Sequence, residues 1–204
     1  MPERSLSATR IAYLELGDER RMVREGHTLL DEKRMLLAAE ILGGLRRYRG
    51  LRRGWLEALA AARQALAAAV RRHGLDAVVA HPGRSGALDA VSLAERRLLG
   101  LHLVESRLEP TEVTYDFEPA ETSPEMTDCA ARFTDLATQA AEMAGLSASL
   151  RIMARDYVRT ERRARALENI ILPEIEADIR YVEGQLESID QEESIRVREA
   201  RGRR

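Results

Sequence analysis

The chain has 204 residues, of which 32% are charged and only 4% aromatic, enough length for one domain but few large side chains for a globular core. A net charge of −2 supplies neither the basic excess that nucleic-acid binding needs nor the one a membrane surface attracts. Cys129 is the only cysteine, so no internal disulfide is possible and a reducing compartment is expected.

The start, Met1-Pro2-Glu3-Arg4-Ser5-Leu6, lacks an apolar signal region, and the most apolar stretch, Leu56 to Val70, is interrupted by Glu57, Arg63 and Gln64. A cytoplasmic protein without direct membrane insertion is expected. Charge is unevenly spread. Residues 1–73 hold fifteen basic and nine acidic side chains, residues 74–129 four and eleven, and residues 130–204 thirteen and fourteen. The middle thus differs chemically from the two flanking arms. Lys33 is the only lysine; the other basic residues are arginines.

The first arm, residues 8–73, contains no proline and reads as one long helix. Leu16, Val23, Leu30 and Leu37 lie seven apart, and the stripe continues through Ile41, Leu45, Tyr48, Trp55, Leu59, Ala62, Leu66 and Val70 nearer a 3.6 period. Gly43-Gly44 is a plausible bend. The middle region, residues 74–126, opens with the turn-rich His81-Pro82-Gly83-Arg84-Ser85-Gly86. Ala87–Leu93 and Leu98–Val104 then flank the polar Ala94-Glu95-Arg96-Arg97, a pattern that fits a short β-hairpin or one more short helix. Pro110, Pro119 and Pro124 imply extended chain, and Ser123-Pro124-Glu125 fits a capping residue followed by proline at the first helical position.

The second arm, residues 127–198, carries a stripe through Phe133, Ala137, Ala140, Ala144, Leu150, Tyr157, Ala164, Leu167, Ile171, Ile175, Ile179, Val182, Leu186 and Ile189. Pro173 removes one helical hydrogen bond and is expected to kink it. A helix with one apolar stripe needs a partner. Two arms of matched length around a compact middle therefore predict a mainly α fold, a long antiparallel two-helix coiled coil forming a single elongated domain.

No chemistry-bearing constellation emerges. His27 has no Cys, His or carboxylate cluster at metal spacing. The Gly83–Gly86 loop lacks the lysine and the strand–loop–helix setting of a phosphate loop. Arg46, Arg47, Arg49, Arg52 and Arg53 spread around one helix and read as a solvated or protein-facing surface rather than a nucleic-acid site. Glu192 and Glu193 are adjacent on a helix and point apart, and Cys129 has no neighbouring base. Catalytic, metal and cofactor sites are all expected to be absent.

Two blocks carry a resemblance. Thr9-Arg10 followed by Gly26-His27-x-Leu29-Leu30-x-x-Lys33-Arg34 is similar to the N-terminal helix signature of the D subunits of V-type ATPases. Arg162-Arg163-x-x-Ala166-Leu167-Glu168-x-x-x-x-Pro173, continuing as Ile179-x-Tyr181-Val182 and Leu186, is similar to that family's C-terminal signature. Ala120-Glu121-Thr122-Ser123 resembles the family where the second arm begins. Together these cover about 65 residues; Arg165 and Asp178 depart from the family's usual asparagine and threonine.

The resemblance implies a non-catalytic central-stalk rotor of a rotary ATPase or ATP synthase, peripheral to the membrane, that couples ATP hydrolysis or synthesis to ion transport. The implied partners are the catalytic and nucleotide-binding A and B subunits, the small F subunit of the central stalk, and the funnel-like C (or d) subunit above the membrane rotor. A free-standing coiled-coil scaffold would account for the stripes but not for the two signature blocks.

Overall fold

The computed structural model describes residues 8–80, 91–108 and 123–202. The loop at residues 81–86, Pro110, Pro119 and residues 120–122 lie outside them. Helix α1 runs Arg10–His73 and is followed by the short α2, Leu75–Ala80. Strands β1 (Val91–Leu98) and β2 (Leu101–Leu108) form one antiparallel pair. Helix α3 covers Pro124–Ala166, a π-helical turn covers Leu167–Ile171, and α4 covers Leu172–Gly202. The fold is mainly α, as the two apolar stripes predict, with a hairpin in the middle.

Local chemistry explains where the helices begin and end. The hydroxyl of Thr9 accepts a hydrogen bond from the backbone N–H of Ala12 at 3.1 Å, capping α1. Gly74 ends α1 at φ +82°, a left-handed conformation that costs glycine little, and its N–H reaches the Val70 carbonyl at 2.8 Å. Ser123 caps α3 by accepting from the Met126 N–H at 3.3 Å, and Pro124 occupies the first helical position, where its missing N–H costs nothing. Upstream of Pro173 the helix widens. The N–H of Leu172 reaches the Leu167 carbonyl, five residues back instead of four. A proline ring crowds the carbonyl four residues before it, so this wider turn falls where room is needed.

The hairpin sits later than the sequence pattern suggests. Ala94-Glu95-Arg96-Arg97, expected to bridge two segments, lies inside β1, and the turn is Leu99-Gly100. Both turn residues have positive φ, 50° and 81°, which matches the twist of a two-residue hairpin loop. The polar run misleads because β1 is exposed along nearly its whole length and so needs no apolar alternation.

The described residues divide into two compact units. In one, residues 37–156, Ala65, Ala69, Met126 and Cys129 form a buried cluster with Leu66 and Val78 against it. Arg72 Nη1 lies 2.7 Å from both carboxylate oxygens of Glu125, and His73 Nε2 lies 2.6 Å from the Ser123 hydroxyl, tying the end of α1 to the start of α3. Strand β2 docks on α3 through its backbone. The Ser149 hydroxyl accepts from the Val104 N–H at 2.9 Å and donates to the Val104 carbonyl at 2.7 Å. Ser106 donates to the Ala141 carbonyl. Gly145 stands between them, and a Cβ there would collide with the Ser106 backbone. The other unit, residues 1–36 and 157–204, holds the second cluster and is taken up below.

Leu99 is the only described non-glycine residue with positive φ. Leu99→Asn should therefore raise unfolding stability by about 1 kcal/mol, because a left-handed leucine costs on the order of 1–2 kcal/mol and asparagine less. A denaturant midpoint that falls instead would show that packing of the leucine outweighs the backbone strain.

Candidate interaction site

The two signature blocks meet in the unit formed by residues 1–36 and 157–204. Its interior is a seam between α1 and α4. Leu16, Ile175, Ile179 and Val182 are buried together, with Val23, Ile171 and Leu186 packed against them. Val182 is fully buried. Burying each such side chain contributes roughly 1.5–3 kcal/mol, so the seam is the main attraction within this unit. Leu30 and Leu167 are half-buried. The Leu167 Cδ1 lies 3.8 Å from where a Cβ on Gly26 would stand, which allows close approach of the backbones at the π-helical turn. Leu37 is fully buried but belongs to the other unit.

Polar pairs flank this seam. Arg10 lies 3.8 Å from Asp190, Arg24 2.9 Å from Glu176, His27 3.8 Å from Glu168, and Arg34 3.2 Å from Glu161. The paired residue numbers sum to 200 for the first two and to 195 for the last two. An antiparallel pairing gives a constant sum, and the step falls at the π-helical turn, which holds one more residue than an α-turn. The extra residue shifts the register in the observed direction, by one position of the five. Most of these side chains are well exposed, so each pair contributes little alone. Glu161 is the exception. It is mostly covered and gathers Arg34 on one side and Arg165 at 2.6 Å on the other, while Asp31 holds Arg34 at 2.6 Å. Burial by itself would raise the Glu161 carboxyl. The hydrogen bond from Arg34 and the charges of Arg165 and Arg34 outweigh burial and hold it below the ordinary carboxylate range.

The remaining signature residues face outward. Arg162 and Arg163 are exposed and have no ion pair among the described residues, and Pro173 is exposed. Lys33 is half-buried. Thr9 acts as the α1 cap and Gly26 as a spacer; His27 is held beside Glu168 rather than in a cluster. No motif pointed to Arg24, Glu176 or Glu161, because their partners lie more than a hundred positions away. A heptad count across the two arms was the available signal.

Among the described residues no group of three or more His, Cys, Asp or Glu could hold a metal, and no helix is long and apolar enough to cross a membrane. Burial pushes the Cys129 thiol up, away from the reactive thiolate. A cavity of about 760 Å³ between α1, β2 and α3, around Gly43, Leu103, Leu146 and Met153, has Ser106 and Ser149 in its lining. Both serines are committed to backbone hydrogen bonds.

Known proteins are similar to this chain in sequence. Residues 12–202 match the family model that describes the ATP synthase D subunit. The chain is 30% identical over 197 residues to the A-type ATP synthase D subunit of Methanopyrus kandleri, covering 95% of this chain and 84% of that one. It is 23% identical over 194 residues to the V-type ATP synthase D subunit of Thermotoga neapolitana, covering 95% and 96% respectively. It is 25% identical over 201 residues to the A-type ATP synthase D subunit of Methanobrevibacter smithii, covering 95% and 85%.

A carboxyl whose folded pKa is depressed stabilises the fold above its unfolded value and loses that contribution as pH falls through the folded one. The Glu161 contribution should therefore be complete above about pH 4.3, the ordinary glutamate value, and fade below it. Glu161→Gln should destabilise the protein at neutral pH and flatten the acid limb of the stability profile. An acid limb with unchanged slope in the variant would remove Glu161 from this role.

Proposed function

We infer a mechanical role for this chain, which belongs to the family of ATP synthase D subunits: it is a central-stalk component of a rotary ATPase, and its paired helices turn as the shaft. The observation that supports a shaft is the antiparallel seam of Leu16, Ile175, Ile179 and Val182, flanked by polar pairs whose register shifts once, at the π-helical turn. The family match disfavours a free-standing scaffold. In this reading the whole chain works as one elongated domain, with α1 as the first arm, a middle bearing the hairpin, and a second arm passing Pro173. It is non-catalytic and peripheral to the membrane.

The finer partners follow the same reading. The unit of residues 1–36 and 157–204 enters the ring of catalytic and nucleotide-binding A and B subunits. Ile11, Leu14, Met22 and Leu29 recur at helical spacing along α1 and stand exposed, and an exposed apolar stripe supports contact with other chains. Arg162, Arg163 and the Lys33–Arg34 step would supply its charged contacts. The other unit, with Tyr48 and Trp55 half-buried on α1, takes the small F subunit and seats on the funnel-like C (or d) subunit.

Truncation separates shaft from base. Ending the chain at Tyr181 removes Val182 and Leu186 and strips Leu16 of much of its seam. The truncated protein should still assemble with its partners at the base, while ions transported per ATP hydrolysed by the reconstituted complex fall steeply. Removing only Arg201–Arg204 should change little, because those residues follow the last apolar position of the stripe in sequence. An unchanged transport ratio after truncation at Tyr181 would mean that this unit does not transmit torque.

A further inference from the structure

The two edges of the hairpin are treated differently. The outer edge of β2 is covered, because Val104 directs both its N–H and its carbonyl to the Ser149 hydroxyl of α3. In an antiparallel pair, a residue whose backbone groups point outward faces another whose groups also point outward. Val104 faces Glu95, so Glu95 presents its N–H and carbonyl to the outer edge of β1. By the two-residue period Val91, Leu93 and Arg97 do the same. Among the described residues nothing pairs with that edge, and residues 91–97 are all exposed, Leu93 at 70%.

An open edge is a template for another strand, and native edges are commonly shielded by proline, by lysine or by a very short strand. β1 is eight residues long and has neither proline nor lysine. Its charges choose a partner rather than repel all comers. Glu95 is already held by His102 at 3.3 Å, whereas Arg96 and Arg97 have no ion pair among the described residues. A second copy of β1 fits poorly. Of the antiparallel registers that pair outward-pointing residues, two overlap most fully: one sets Glu95 on Glu95, a like-charge pair, and the other sets Leu93 on Glu95 and Val91 on Arg97, apolar side chains on charged ones.

We propose that the outer edge of β1 is a docking site for an extended acidic segment of a different protein chain, added as a third, antiparallel strand. The segment carries acidic residues opposite Arg97 and Arg96, uncharged residues opposite Glu95 and Ala94, and an apolar residue opposite Leu93. Main-chain hydrogen bonds to Leu93, Glu95 and Arg97 hold it, and the two arginines set its register. This site lies outside the seam and does not depend on the rotor reading.

The probe is a synthetic peptide of this pattern, Thr-Glu-Glu-Thr-Thr-Val-Thr-Val, added to the full-length chain while amide hydrogen exchange is followed residue by residue. Exchange should slow at Leu93, Glu95 and Arg97, and a peptide with both glutamates replaced by lysine should lose the effect. Leu93→Pro removes one outward donor without breaking the bonds between β1 and β2, since Leu93 stands opposite Ser106 at an outward-pointing position. It should abolish binding while Ser92, Ala94 and Arg96 keep their protection. Unchanged exchange at Leu93, Glu95 and Arg97 with saturating peptide would overturn the proposal, as would equal binding of the lysine peptide. Slowing of the same amides with rising chain concentration and no peptide would identify a second copy as the occupant, and would also overturn it.

Discussion

Everything in this fold answers one constraint: a helix with an apolar stripe on one side is not stable in water by itself. Helix α1 is 64 residues long and is interrupted by no proline, so its stripe must find partners along its whole length from the same chain or from others. The second helical run supplies them. Around Leu16 the partners are Ile175, Ile179 and Val182; around Ala65 and Ala69 they are Met126 and Cys129. Glycines that look costly on helix propensity are tolerated where the partner comes close, as at Gly26 beside Leu167 and Gly44 beside Leu150. The ion pairs do less for stability than the seam does, but they distinguish one antiparallel register from its neighbours.

The hairpin obeys a related constraint. A two-stranded hairpin is marginal in isolation, and here Ser149 of α3 and Ser106 of β2 tie it to α3 through hydrogen bonds to backbone, while Leu103 and Leu108 of β2 are buried. Gly145 makes that approach possible, since any side chain there would meet the Ser106 backbone. Docking one edge onto a helix leaves the other edge open, so the exposure of β1 follows directly from the way β2 is held.

The legible part of the structure was the part governed by period. The spacing of Leu16, Val23 and Leu30, and of Ile171, Ile175, Val182 and Leu186, states that two long helices exist and which face of each is apolar, and the mainly α fold follows. The Ser123-Pro124 step was legible because capping chemistry is local. The hairpin strands were misplaced, because β1 is exposed and carries Glu95, Arg96 and Arg97 without alternation, and because a leucine at positive φ gives no turn signal. Pro173 marks an irregularity, but only the structure shows a π-helical turn before it. The Glu161 network was invisible because its arginines come from both arms, and the open edge of β1 was invisible because backbone direction leaves no trace in composition.

A central-stalk shaft is the moving part of a rotary machine, and motion can be watched. His102 lies on the exposed side of β2, and Cys129 is buried in the α3 cluster. A His102→Cys, Cys129→Ser chain would carry a bead at one place. Assembled with its immobilised catalytic ring and given ATP, it should turn in one direction and stop when ATP is exhausted. A bead that stays still while the ring hydrolyses ATP would contradict the account.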